Sequence, residues 1–396
     1  MGTEPPTARR LRLALVDLSE LEQRQVRAAL GTRLEVVDGD ASEVDVVISG
    51  GDAETLDAMG HRHPQRVRVW VCDAEQGLDG LGRGQLAHEV LVRPLAYEHI
   101  ADTVVQATET HQLLTDPELS RLIDDLGALP SLPSTYQALC RVLVSESASM
   151  AEVADVLGRD IAVSSRILSV VNSALYALPR TVSSLQQATS MLGVRAIRDL
   201  VLAIEVFGEL AKGPSLPGVS LEDLQNRAHA RGTLARMLAP RHLADEAYTT
   251  GLLYELGRMV LAAKAPDRYI AACYLLQADL SLDEAEREVF GVSQRELGAR
   301  LLALWGLPWE VVHAVRAPGT WHDPAERTVA DLVDLADLFV EEATHERVTD
   351  EPLVLVTRKM LAPWGLTRKA ETARSLARTL ARGLVEPPVA EVRRAS

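Results

Sequence analysis

A chain of 396 residues is long enough for two or three domains at about 100–200 residues each. Its 47% hydrophobic share with only 4% aromatic residues favours helix-rich packing over an all-β sandwich. A formal net charge of -15 opposes both a phosphate backbone and an anionic membrane surface, so neither nucleic acid nor membrane is an expected partner.

Cys72, Cys140 and Cys273 are far apart and lack CxxC spacing, which argues against a disulfide framework and a structural zinc site. The opening MGTEPPTARR has no apolar stretch after its charges, and no run of about 18 apolar residues follows. The expectation is a cytoplasmic chain with residues 1–10 as a flexible tail.

From residue 11 to residue 110, short apolar runs alternate with helical stretches. LRLALVD, LEVVDGD, DVVISGG, VRVWVCD and HEVLVRP read as five strands, with helices at Glu20–Leu30, Ala53–Met59 and Tyr97–Thr108. That alternation predicts an α/β domain, a doubly wound parallel five-stranded sheet covered by helices. The glycine-rich GLDGLGRG at 77–84 lacks a GK[ST] ending and reads as a surface loop rather than a phosphate cradle.

The segment closes with VLVRPLAYEHIADTVVQA, a strand, an Arg-Pro turn and an amphipathic helix. In this it resembles the receiver domain of response regulators. The resemblance implies an acidic pair after the first strand, a phosphorylated Asp at the end of the third and a Lys before the Pro. The matching positions here hold Val16-Asp17, Ser49-Gly50 and Arg93. Phosphoryl transfer needs Mg²⁺ held by carboxylates and an acceptor carboxylate in line, which Asp17 with Ser49 and Gly50 does not supply. The expectation is a degenerate receiver site, with Asp45 at the start of the third strand and Asp52 past its end as alternative acceptors.

Residues 111–127 read as a helical connector, and LPSLPS at 129–134 marks the next boundary. Strand signals then cease. Ser149-x-x-Glu152, Ser281-x-x-Glu284 and Ser293-x-x-Glu296 have capping-box spacing, in which hydroxyl and carboxylate each satisfy a free backbone donor. The expectation is an all-α domain over 128–325. Helices over 326–396 should pack on it, ending in a disordered tail, with core closure preferred to dimerisation for their apolar stripe. Arg374, Arg378 and Arg382 share one helix face there and read as a solvated cationic face.

Within the helical region lie a Leu-Pro-x-Leu-Pro opening, Asp160 ahead of the helix carrying Arg166, a VNSALY turn with Asn172 and Ser173, the Leu192-Gly193 pair, and VFGVSQRELGARLLALWGLP. These features resemble the HDOD domain, a bacterial signalling module related to the HD phosphohydrolases. On their own chemistry, Asp160, Asn172, Ser173 and Gly193 also suit helix ends: short polar side chains cap, and a glycine permits a left-handed C-cap.

The resemblance implies a metal site in the HD relatives, built on an adjacent His-Asp pair with further ligands from neighbouring helices. In GLLYELGRMVLA, read here as one helix, Tyr254 and Glu255 occupy that place. A phenol of pKa about 10 is a poor ligand at neutral pH, and a catalytic metal needs three protein ligands and an open position. His229 on the preceding helix, with Arg227 as the alternative at that spot, and His313 and His322 further on are the candidate partners; HRH at 61–63 lies in the other domain. Glu255 shares the apolar spacing of Leu252, Leu256 and Met259 and points inward, where Arg258, Arg227 or His229 can pair with it.

The favoured expectation is a signalling protein that is not an enzyme. It has no metal and no cofactor, and it acts on protein partners in a pathway, with a second-messenger nucleotide and a homodimer as further possible partners. Two alternatives stand beside it: a metal-dependent phosphodiesterase using His229, Glu255 and His313, and a sensor that binds a nucleotide without hydrolysing it.

Overall fold

The computed structural model describes residues 11–31, 34–37, 44–62, 66–73, 87–95, 100–143, 149–172, 182–212, 221–275, 280–317, 327–344, 361 and 364–385. Two compact units divide the chain, Met1–Asp116 and Pro117–Ser396. GLDGLGRG, Ser173, His322 and the side chains of Arg378 and Arg382 lie outside the described residues.

The first unit runs β1 (Arg12–Val16), α1 (Glu20–Leu30), β2 (Glu35–Val36), β3 (Val46–Ser49), α2 (Ala53–Arg62), β4 (Val67–Cys72), β5 (Glu89–Val92) and α3 (Ile100–Thr115). All strand pairs are parallel, in the order β2-β1-β3-β4-β5. Alternation along the strands sends Leu13, Val46, Ile48, Val67, Val69 and Val71 to one face, where Val26 and Leu30 of α1 and Ile100 and Val104 of α3 cover them. The opposite face carries Ala14, Val47, Trp70 and Cys72 against Leu56 and Met59 of α2. Coverage on both sides explains why β4 reads as a nearly continuous apolar run.

The sequence reading ended the last helix of this unit near Thr108 and made 111–127 a connector. Instead α3 continues to Thr115, because Ala107, His111 and Leu113 keep its inner face buried, and Pro117 opens a separate helix. Proline suits a first helical position, where its missing N–H costs nothing.

That helix, α4 (Pro117–Leu126), starts the second unit. Next come α5 (Ser134–Leu143), α6 (Met150–Gly158), α7 (Ile161–Val171), α8 (Leu185–Leu192), α9 (Val194–Leu210) and α10 (Leu221–Leu238). A short 3-10 turn at Arg241–Leu243 leads into α11 (Ala244–Leu253), α12 (Leu256–Lys264), α13 (Pro266–Leu275), α14 (Leu282–Phe290), α15 (Gln294–Leu304), α16 (Trp309–Arg316), α17 (Val329–Thr344) and α18 (Thr367–Val385). Among the described residues this unit has no strand, and none of its helices is long and apolar enough to cross a membrane. The three capping boxes close as their spacing requires, on Ser149, Ser281 and Ser293. Leu332, Val333, Ala336 and Phe339 of α17 share a core with Leu234 and Leu238 of α10 and Ala370, Ala373 and Ala377 of α18.

GLLYELGRMVLA departs from its sequence reading as one helix. It breaks between α11 and α12, with Tyr254 and Glu255 at the junction and Glu255 at φ -99, ψ 18. Two glycines flank the break, each at a backbone approach too close for a side chain. A Cβ on Gly251 would lie 2.8 Å from the Gly232 Cα of α10, and one on Gly257 would lie 1.9 Å from the Gln294 carbonyl oxygen of α15. These approaches pin both sides of the junction.

Candidate functional site

Glu255 sits at the centre of the helical unit, 5% exposed. Arg231 of α10 donates to its Oε2 at 2.6 Å and Arg258 of α12 to its Oε1 at 2.8 Å, while Arg227 of α10 stands 3.9 Å away. Burial on its own would raise this carboxyl; Arg231, Arg258 and Arg227 outweigh it and hold Glu255 well below the usual carboxylate range. Arg231 is fully buried and also donates to Asp337 of α17 at 2.7 Å. Arg258 extends the network to the Tyr269 hydroxyl of α13 at 2.6 Å, and Arg227 to Glu341 of α17 at 3.1 Å.

Tyr254 belongs to the same cluster. Its hydroxyl donates to Asp334 of α17, and Arg295 of α15 contacts both that hydroxyl and, at 3.3 Å, Asp334. The guanidinium carbons of Arg295 and Arg231 lie 4.4 and 4.8 Å from the Tyr254 ring centre, within cation–π range. Burial, then Asp334, raise the phenol well above its ordinary value, so it stays protonated.

The sequence reading brought Tyr254, Glu255, Arg227 and Arg258 together, and the structure joins them. It missed Arg231, Arg295, Asp334 and Asp337. A signal was present: Arg227 and Arg231 are one turn apart, and Asp334 and Asp337 recur at three-residue spacing inside an apolar run. His229 was a candidate partner for Glu255 and is not one. Two positions from Arg227 and Arg231 on the helix, it points elsewhere and feels the charge of Arg166 on α7. His313 stacks on Trp309 at 4.5 Å.

A divalent metal does not fit this donor set. Both Glu255 oxygens already accept from guanidinium groups, Asp337 accepts from Arg231, and the protonated phenol donates its hydrogen to Asp334. Two cations stand where a metal would have to stand. Among the described residues no cluster of three or more His, Cys, Asp or Glu has the arrangement to hold a metal ion.

The motif residues around it have local duties. Asp160 Oδ1 accepts from the Val163 N–H at the start of α7. Asn172 donates to the Leu168 and Val182 carbonyls at 2.9 and 2.8 Å and accepts from the Val182 N–H at 2.7 Å, so it closes a helix end onto the next segment. Gly193 has φ 87, but its ψ of 154 is extended rather than left-handed helical; it caps α8 and opens α9.

In the first unit, chain crossover places the loops after β1 and β3 side by side at the carboxyl edge of the sheet. Asp17, Ser49, Gly50 and Arg93 meet there. A Cβ on Gly50 would lie 2.4 Å from the Asp17 carbonyl and 3.0 Å from Arg93 Nη2. Asp17 has φ 53, a left-handed conformation that a β-branched residue would resist. Ser49 is fully buried and its hydroxyl accepts from the Gly51 N–H at 3.1 Å. Asp45 accepts from the Arg12 N–H, and Asp52 caps α2 through the N–H and hydroxyl of Thr55. The partners of Arg93, missed in the sequence, are Glu22 at 2.8 Å and Asp73 at 3.8 Å. The Ser19 hydroxyl, then Arg93, lower the Glu22 carboxyl to about 2.

The HDOD domain family matches residues 129–320. A Treponema pallidum protein described as uncharacterized is 22% identical over 60% of this chain, which spans about half (49%) of that protein's length. A Shewanella amazonensis structure named "Putative phosphohydrolase" has a TM-score of 0.53 at 21% identity, covering 68% of this chain and 99% of its own. A Geobacter sulfurreducens HDOD domain protein of unknown function has a TM-score of 0.50 at 20% identity, covering 66% and 97%. The expectation that the chain is not an enzyme is therefore withdrawn, since a protein of this fold carries a phosphohydrolase name. The helical unit contains an HDOD domain over residues 129–320.

Proposed function

We propose that the chain is a bacterial signal-transduction protein whose HDOD domain works through protein–protein contact under the control of the N-terminal sheet unit. The observation that carries this reading is the network around Glu255: Arg231, Arg258 and Asp337, joined through Tyr254 to Arg295 and Asp334, tie α10, α12, α15 and α17 across one buried centre. Such a network suits a rigid body whose outer surfaces are the working parts. Affinity capture from lysate of the host bacterium with the full chain tests it. The expected result is a defined partner retained by the wild type and lost with Leu297→Asp, a substitution at a fully buried core position. The same proteins on both baits, or none on either, would end the reading.

The N-terminal unit we read as a receiver relative that has lost its phosphoacceptor. Its strand order is that of doubly wound receivers, and Ser49, Gly50 and Arg93 stand where the resemblance implies Asp and Lys. No label transfer from a small phosphodonor is expected; stable labelling on Asp17, Asp45 or Asp52 would overturn this.

A second reading, phosphoester hydrolysis, is favoured by the fold shared with the Shewanella protein. Metal-dependent turnover of a cyclic dinucleotide by purified protein would establish it.

A further inference from the structure

Beside the cluster on Glu255 the helical unit buries another carboxyl, Glu286 of α14, at 0% exposure. Its Oε2 accepts the Gln294 N–H at 2.7 Å, where α15 begins. Among the described residues its Oε1 has no hydrogen-bond partner. A buried carboxylate with one oxygen unanswered is costly when ionised, whereas the protonated form keeps the Gln294 bond and brings no charge into the core.

Every helix packed around Glu286 contributes to its surroundings. Arg258 of α12 attracts the ionised form, while Glu255 at the head of α12 and Asp283 on α14 itself repel it. On α13, Tyr269 and Cys273 both feel Glu286, and burial raises each of them, so both stay neutral through the neutral pH range. From α15 comes the uncharged Gln294 amide. Burial is the largest influence and lifts Glu286 to about 7.

Gln294 ties this carboxyl to the break between α11 and α12. Its backbone N–H serves Glu286, its side-chain Oε1 accepts the Arg258 N–H at 3.3 Å, and its carbonyl oxygen lies 1.9 Å from where a Cβ would stand on Gly257. A negative charge on Glu286 calls for a counter-charge, and Arg258 is the cation that acts on it. That guanidinium is already shared between Glu255 at 2.8 Å and the Tyr269 hydroxyl at 2.6 Å. We propose that Glu286 is a proton-operated latch: protonated, it leaves Arg258 to Glu255, and ionised, it competes for Arg258 and loosens the junction of α11 and α12 against α15. The latch regulates the buried centre and does not depend on what the outer surfaces bind.

The folded chain holds this proton to higher pH than the unfolded chain does. Neutral Glu286 therefore contributes stability that is complete below the ordinary glutamate value of about 4.5 and is lost as pH rises to about 7. Hydrogen exchange of the full chain at about pH 6 and about pH 8, corrected for intrinsic rates, tests the latch. Peptides spanning Gly251 to Lys264 should open about tenfold more readily at the higher pH, the factor that linkage gives for an opening that exposes Glu286. Glu286→Gln should abolish that difference and keep the low-pH protection at both values. Carbon-13 NMR of the wild-type chain with labelled glutamate supplies a readout free of any variant: one carboxyl should titrate near about 7. No pH-dependent opening in the wild type, an equal pH difference in Glu286→Gln, or no glutamate carboxyl titrating near about 7 would each overturn the proposal.

Discussion

Both units place an arginine–carboxylate pair at the spot where the family resemblances anticipate chemistry, yet the two pairs live in different media. Arg93 and Glu22 in the sheet unit keep side-chain exposures of 30% and 17%. Arg231 and Glu255 in the helical unit keep 0% and 6%. Water competes for the first pair and is excluded from the second. The first is a local brace between the α1 cap and the end of β5, worth up to about 1 kcal/mol. The second became tolerable only because several groups neutralise one another, and removing a single member leaves an uncompensated buried charge.

The largest effect should therefore come from Glu255→Gln, which keeps shape but strands Arg231 and Arg258. A loss of about 3–5 kcal/mol is expected, read by hydrogen exchange in peptides of the helical unit, with exchange of the sheet unit unchanged. A loss under about 1 kcal/mol would erase the contrast between the two pairs. Next is Gly257→Ala, which drives a methyl group into the Gln294 carbonyl of α15; destabilisation of about 3 kcal/mol is expected in chemical denaturation. Gly31→Ala, where nothing stands within 4 Å, isolates the strain of its φ of 54 and serves as the control.

Acid should separate the units by pH window. His229 has a lowered pKa in the folded state, so the unfolded chain binds the extra proton. The stability that His229 contributes to the helical unit should then fall as pH drops from about 6.5 toward 4, while Glu286, raised to about 7 by burial, contributes with the opposite sign over the same range. Glu22, also lowered, contributes stability that is complete above about 4.5 and is lost toward about 2. In a Glu286→Gln background, which removes the opposing carboxyl, a unit-resolved acid titration by hydrogen exchange should show the helical unit yielding first. The smallest effect is Glu22→Gln, about 1 kcal/mol or less on the sheet unit, diminished further in 1 M salt; salt should leave the Glu255 network nearly untouched.

Period and punctuation made much of the fold legible. Five strands appeared as apolar runs because both faces of the sheet are covered, and three serine caps announced their helices through the glutamate three residues on. What pattern did not disclose was the break at Tyr254 and Glu255. Glu255 keeps helical spacing with Leu252 and Met259, and the interruption coincides with backbone approaches from α10 and α15 that are distant in sequence. Arg231 was overlooked for a related reason. A fully buried arginine is justified by partners on other helices, so its one-turn spacing from Arg227 marks the face it shares but not which residues meet it there. The sheet-edge cluster was easier to find, since crossover topology alone brings the loops of Asp17 and Gly50 together. Its arginine's counter-charge was not, because Glu22 lies 71 residues away from Arg93 in the chain.

The paired glycine approaches carry an engineering consequence. With Gly251 seated on Gly232 and Gly257 on Gln294, main-chain position at the intervening residues is set by steric exclusion, independent of which side chains they bear. The scaffold is thus a prepared socket: with Tyr254→His and Glu255→Asp installed together with neutral replacements for Arg231 and Arg258, the peptide track should hold its course while the charges of the cluster are exchanged.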